Sequence, residues 1–184
     1  NGADGFLLLT DASTSQLGTA FLTTPITANN FVATFTIEIG GGNTADGMAF
    51  LFLGETDPTI VGDCDGSCMG AYGLTGYGVE FDTYNSGATY FDSDNNHLAL
   101  IATDDFSVYA SDSTIPTLTD GGGYDVEVHF SEGDVDVYFD GGLSVSTTIK
   151  DYALTEILFG FSAATGGLYD AHAVDDFSLV TCSE

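Results

Sequence analysis

Residues 31–39 read Phe31-Val32-Ala33-Thr34-Phe35-Thr36-Ile37-Glu38-Ile39. Phe31, Ala33, Phe35, Ile37 and Ile39 fall on one side of an extended chain, and Thr34, Thr36 and Glu38 on the other. A period of two is the signature of a strand with one buried face. The same pattern returns in Tyr124, Val126, Val128 and Phe130 against Asp125, Glu127 and His129, then in Val135, Val137 and Phe139 against Asp134, Asp136, Tyr138 and Asp140. Ser131-Glu132-Gly133 between them reads as a hairpin turn. Further strands are expected near 6–9, 17–22, 47–53, 77–84, 97–103, 106–109, 143–148, 157–162 and 174–180, about a dozen in all. No window carries a 3.6-residue apolar stripe, so the class is all-β, with strands stacked as a two-sheet jelly roll or closed as a barrel. The run Met48-Ala49-Phe50-Leu51-Phe52-Leu53 is apolar throughout and suits a strand covered on both faces.

The 184 residues fit one domain over 1–184, and 24 glycines punctuate it with turns. Against 28 acidic residues stands one basic residue, giving a formal charge of -27. Such a surface repels phosphate, which excludes nucleic acid and anionic membrane as partners. It also makes bound cations an early expectation, because self-repulsion opposes folding. The longest apolar run is far short of the ~20 residues that span a bilayer. The chain opens at Asn1 with no basic or apolar leader, and is expected to be a mature or excised extracellular domain, secreted or on a cell surface. Cys64 and Cys68 flank Asp65-Gly66-Ser67, a turn that a disulfide would close; unpaired thiols in a reducing compartment are the alternative. Cys182 is then spare or bonded to another chain.

The chemistry concentrates in Gly78-Val79-Glu80-Phe81-Asp82-Thr83-Tyr84-Asn85-Ser86-Gly87-Ala88-Thr89-Tyr90-Phe91-Asp92-Ser93-Asp94-Asn95-Asn96-His97. Alternation places Glu80, Asp82 and Tyr84 on one face, with the two carboxylates about 6.7 Å apart. Paired carboxylates either hydrolyse a glycosidic bond or hold a hard cation. The following loop adds Asp92, Asp94, Asn85, Asn95 and Asn96 as oxygen donors and His97 as a nitrogen donor, which favours Ca²⁺ with an adjacent transition ion.

Val79-Glu80-Phe81-Asp82-Thr83-Tyr84, followed by Asp92 and by His97-Leu98-Ala99-Leu100, resembles the metal-binding segment of the legume, or L-type, lectins and their bacterial relatives. Thr44-Ala45-Asp46-Gly47-Met48-Ala49-Phe50, Gly160-Phe161-Ser162-Ala163-Ala164-Thr165-Gly166 and His172-Ala173-Val174-Asp175-Asp176-Phe177-Ser178 resemble three further segments of that family, in the same order. The resemblance implies a concanavalin A-like jelly roll. It assigns Glu80 and His97 to a Mn²⁺-like ion, Asp82 and Asp92 to both ions, and the Tyr84 carbonyl to Ca²⁺. The family's usual calcium-binding Asn is replaced by Ser86, with Asn85 one place earlier, so either residue completes the set. For a sugar beside the calcium it implies Asp46 as hydroxyl acceptor, Tyr84 as stacking platform, Asn85 as amide donor and the Gly66 to Gly70 loop, Gly66 first, as backbone NH donor. Specificity would come from the loop Gly166-Gly167-Leu168-Tyr169-Asp170, with Gly167, Leu168 and Tyr169 as its sugar contacts. The Ala45–Asp46 peptide would be cis.

The functional expectation is a calcium-dependent carbohydrate-binding module with glycans or polysaccharide as partners, acting in extracellular adhesion. A structural adhesin or surface-assembly subunit that self-associates, or forms part of a larger surface protein, is the alternative. A glycoside hydrolase on this fold carries Glu-x-Asp-x-x-Glu. Here Glu80-Phe81-Asp82-Thr83-Tyr84-Asn85 replaces the acid with an amide that cannot protonate a leaving group, so no enzymatic activity is expected.

Overall fold

The alternation over 31–39 becomes β4 (Asn30–Gly40), in which buried and half-buried residues exchange at every step. The computed structural model describes residues 5–87, 92 and 94–182. Among these, thirteen strands form: β1 (Leu7–Thr10), β2 (Leu17–Phe21), β3 (Ile26–Thr27), β4, β5 (Gly47–Leu53), β6 (Gly76–Asp82), β7 (His97–Ala102), β8 (Val108–Asp112), β9 (Gly123–Ser131), β10 (Asp134–Phe139), β11 (Gly142–Thr148), β12 (Glu156–Ala164) and β13 (Ala171–Cys182). One sheet has the order β1-β13-β4-β9-β10-β11, and the other β2-β12-β5-β6-β7-β8 with β3 also paired to β12. Every pairing is antiparallel, which makes an antiparallel two-sheet jelly-roll sandwich.

The sheets close on a phenylalanine-rich core. Phe31 meets Phe159 edge-on with ring centroids 4.9 Å apart, Phe35 meets Phe161 at 5.0 Å, and Phe50 sits among Phe31, Phe35, Phe159 and Phe161. β5 is buried along its whole length for the reason its sequence suggests. Met48, Phe50 and Phe52 face the inter-sheet core, whereas Ala49, Leu51 and Leu53 face a second cluster with Met69, Ala71, Leu74 and Phe106. The segment between β5 and β6 thus covers the outer face of the seven-stranded sheet, and one end of that covered face holds the candidate site.

Two local expectations need correction. The strand expected from 106 begins at Val108, because Phe106 adopts a left-handed φ of 60° in a turn closed by its amide on the Ala102 carbonyl. That turn drops the Phe106 ring into the second cluster against Tyr72. The strand expected to reach Tyr84 ends at Asp82, whose carboxylate accepts the Tyr84 amide at 2.6 Å and so turns the chain out of the ladder.

Candidate functional site

Along β6, Val79 and Phe81 enter the inter-sheet core and Glu80 and Asp82 point the other way. β7 lies alongside with Ala99 opposite Glu80 and His97 opposite Asp82, which places the imidazole beside both acids. Glu80, Asp82 and His97 are all buried. His97 Nε2 is 3.4 Å from Glu80 Oε1, and its Nδ1 is 3.9 Å from Asp92 Oδ1 and 3.4 Å from Asp94 Oδ1. One ligand atom each from Asp82, Asp92 and His97 fall within 4.8 Å of one another.

The electrostatics of the cluster are unbalanced. Burial pushes the Glu80 carboxyl up, and burial with Glu80 nearby pushes Asp82 up to about 8; burial also raises Asp92. Burial pulls His97 down, but the Glu80 hydrogen bond and the neighbouring carboxylates outweigh it and lift the imidazole to about 9. A single imidazolium faces three buried acids, so the protein without an ion keeps protons where ionised oxygens would suit a cation. His97 Nδ1 is buried without a hydrogen-bond partner. Oxygen-rich, desolvated and short of positive charge, this donor set fits a hard divalent cation, and the imidazole fits a borderline one.

The loop after β6 is organised by its carboxylates. The Ser86 amide donates to Asp92 Oδ2, and the Ser86 hydroxyl donates to the Tyr84 carbonyl at 3.4 Å. Asn85 Oδ1 accepts the Gly87 amide at 2.9 Å. Asn96 points elsewhere: its Nδ2 donates to the Pro116 carbonyl and its Oδ1 accepts the Leu118 amide. Residues 88–91 and 93 of this loop lie outside the described residues.

Beside the cluster is an open concavity of about 460 Å³ lined by Asp46, Gly66, Ser67, Tyr84, Gly166, Gly167 and Leu168. Asp46 precedes β5, and the Ala45–Asp46 peptide is cis. Its main chain is anchored on both sides: its amide donates to the Ala164 carbonyl, and its carbonyl accepts the Thr83 amide and hydroxyl, each at 3.0 Å. Asp46 Oδ1 accepts the Ser67 hydroxyl at 3.5 Å, while Oδ2 is buried with no hydrogen-bond partner. Burial pushes this carboxyl up to about 6. Gly166 leaves the space open, since a Cβ there would lie 3.0 Å from Asp46 Oδ2. The Cys64–Cys68 disulfide closes the turn that carries Gly66 and Ser67, and Cys68 is buried behind it. Cys182 is a free, exposed thiol.

The concavity brings together Asp46, Gly66, Tyr84, Gly167 and Leu168, and leaves Asn85 and Tyr169 out of its lining. The backbone of Tyr169 is instead engaged with Asn43. Ser67 and Gly166, which belong to the two loops the resemblance points to, line it as well.

A two-sheet antiparallel sandwich of this topology, with an acidic cluster next to a shallow polar hollow at one end, defines the chain as a concanavalin A-like protein of the L-type lectin class. The chain belongs to the legume lectin domain family, whose model matches residues 2–183. Among curated proteins, L-type lectin-domain containing receptor kinase VII.1 of Arabidopsis thaliana is 27% identical, over a stretch covering 72% of this chain and 23% of the kinase. The chain therefore spans less than a quarter of that relative. The exoplasmic/lumenal domain of VIP36 in its Ca²⁺- and mannose-bound form superposes with a TM-score of 0.77 at 18% identity, covering 97% of this chain and 79% of that domain's chain. The potassium-bound carbohydrate recognition domain of Emp46p gives 0.74 at 12% identity, covering 100% and 86%. At those identities the two structures share its fold. Among the described residues no helix is long and apolar enough to cross a membrane.

Proposed function

We propose that this chain is a calcium-dependent glycan-binding module whose sugar site is the hollow beside Asp46. The observation that carries the reading is Asp46 Oδ2, a buried acceptor with no partner, at the base of a concavity that also offers a half-exposed tyrosine ring and glycine backbone. A sugar needs that combination: a carboxylate accepts two vicinal hydroxyls, and a ring covers the apolar face. The family and the mannose-bound relative support the same reading. With one basic residue in the whole chain, the ligand is a neutral glycan.

Calcium would be held by Asp82, Asp92 and the Tyr84 carbonyl, with Asn85 or Ser86 completing the set, and a second, Mn²⁺-like ion by Glu80 and His97 sharing the two aspartates. An ion held by these residues would fix the loop bearing Tyr84 beside the hollow. The disulfide and the lumenal domain of VIP36 support an oxidising compartment for the module, and the role we read for it is extracellular adhesion.

The test is a glycan array probed in calcium and in EDTA, followed by Asp46→Ala on the ligand found. Each charge-assisted hydrogen bond contributes roughly 1.5–3 kcal/mol, so losing two weakens binding by roughly 100-fold or more. Calcium uptake and the folded spectrum should be unchanged. Near wild-type affinity in Asp46→Ala would remove the sugar from this hollow.

A further inference from the structure

Asp170 is a buried carboxylate with no cationic partner among the described residues and is 1% exposed. Burying an acid is costly unless its oxygens are satisfied, so its position calls for a reason. Its Oδ1 accepts the Gly42 amide at 2.8 Å, and its Oδ2 has no hydrogen-bond partner. Burial raises its carboxyl, while the Gly42 amide that it bonds and the amides of Ala45 and Thr44 pull the other way, all three belonging to one short segment. That segment leads directly into Asp46.

The opposite side of the contact leads to the other wall of the hollow. Asp170 follows Gly166, Gly167, Leu168 and Tyr169, the first three of which line the concavity. The two loops are clipped a second time, by Asn43, whose amide donates to the Tyr169 carbonyl and whose Oδ1 accepts the Tyr169 amide, both at 2.7 Å. The approach is close enough that a Cβ on Gly42 would lie 1.9 Å from the Tyr169 carbonyl oxygen. From behind, Thr10 donates to the Asp170 carbonyl at 3.3 Å and bonds His172 Nδ1 at 2.6 Å, which anchors the backbone of Asp170 to β1 and β13.

We propose that Asp170 is a positioning residue of the hollow: its buried carboxylate fastens the loop that carries Asp46 to the loop that carries Gly166, Gly167 and Leu168. It touches no ligand. Its work is to fix the separation of the two walls, on which simultaneous contact with one sugar ring depends. The consequence for affinity rests on the reading of the hollow as a sugar site, whereas the fastening itself does not.

The experiment compares wild type, Asp170→Asn, Asp170→Ala, Asn43→Ala and Asp46→Ala in calcium, by amide NMR and by binding to immobilised mannan. Asn43→Ala removes the side-chain half of the second clip at an exposed residue and keeps the backbone half, and Asp170→Asn keeps an oxygen for the Gly42 amide, so a folding failure of Asp170→Ala leaves two variants to decide. In Asp170→Ala the amides of Asp46, Gly166, Gly167 and Leu168 should shift or broaden while those of Glu132 and Gly133 at the β9–β10 turn stay put. Asn43→Ala should do the same more weakly, and Asp170→Asn should restore part of the wild-type pattern. Mannan binding should fall at least tenfold in Asp170→Ala, with calcium affinity within twofold of wild type. Unmoved signals at Asp46 and Gly166–Leu168 in Asp170→Ala and Asn43→Ala, or movement spread evenly over the sandwich, would overturn the inference. Local movement with mannan binding retained in Asp46→Ala would instead overturn the sugar reading and leave the fastening standing.

Discussion

Asp82→Asn should make the metal-free protein less sensitive to alkaline pH. The Asp82 carboxyl titrates near 8 in the fold against 3.8 for the ordinary group. Between those values the folded state holds a proton that the unfolded state has released, so stability present at low pH is lost as pH rises through 8. From pH 6.5 to pH 8 this one group removes roughly 1.7 kcal/mol, which for a domain of this size is a fall of roughly 3–7 °C in Tm. His97, lifted from 6.5 to about 9, contributes in the same direction over the same interval. The window starts at 6.5 because His172, pulled by burial down to about 4, is neutral in the fold there and mostly neutral in the unfolded chain above that pH, so its opposing effect is small.

The assay is thermal unfolding in EGTA and 0.5 M NaCl, with wild type and Asp82→Asn scanned at several pH values. Salt at that level suppresses general repulsion among surface carboxylates. Asparagine keeps an oxygen for the Tyr84 amide but has no proton to lose. The wild-type curve should fall more steeply, and saturating calcium should flatten it, because bound carboxylates are already ionised. Calcium binding at pH 7 should release protons from the Glu80–Asp82 cluster, measurable by calorimetry in buffers of different ionisation enthalpy. Parallel curves for the two proteins in EGTA, or no proton release, would refute the assignment of a cation to this cluster.

The remaining expectations are simpler. Millimolar calcium should raise Tm above that in EGTA by several degrees, since a ligand at 100 times its Kd adds about 2.7 kcal/mol; full recovery by NaCl alone would show a charge effect without a specific site. Thiol labelling of the unfolded, unreduced protein should find one reactive cysteine, Cys182, and three labels would show that Cys64 and Cys68 are not bonded. Phe50→Ala should cost about 3–5 kcal/mol by chemical denaturation, because Phe50 is fully buried among six other phenylalanines. His172→Gln should lessen the loss of stability between pH 6.5 and 4, where the buried wild-type imidazole resists protonation and the unfolded one does not.

The fold was legible wherever one face of a strand is wet. In β4, β9 and β10 the alternation of side chains matches the alternation of burial. β5 was legible for the opposite reason, since an uninterrupted apolar run needs cover on both sides. What escaped was decided by contacts distant in sequence. β3 is two residues long and exists through its pairing with β12. Phe106 reads as a strand residue and is diverted by a turn into the second cluster. At the site, Glu80, Asp82 and His97 were legible together because β6 and β7 are neighbours in the sheet, whereas Asp46 was reached through family resemblance. The Gly42–Asp170 bond joins residues 128 apart in sequence, and neither residue type announces it.

Two contrasting groups stand out within the acidity that first pointed to cations. Asp57, Asp105 and Asp112 each accept hydrogen bonds from the hydroxyl and amide of Thr59, Ser107 and Thr114, and Asp120 accepts those of the Gly122 amide and Tyr124 hydroxyl; these bonds hold all four below the usual carboxylate range. Their negative charge stabilises turns and remains in water. Asp46, Glu80, Asp82, Asp92 and Asp170 are instead raised by burial, and they gather at one end of the sandwich. Salt screens the first population and reaches the second poorly, because a Debye atmosphere does not enter a desolvated cluster. A cation that lowers the pKa of Asp82 and Asp92 therefore acts on a charge problem that ionic strength leaves in place. For that reason the response to calcium at high salt, rather than net charge, separates a metal-binding lectin from a merely acidic sandwich.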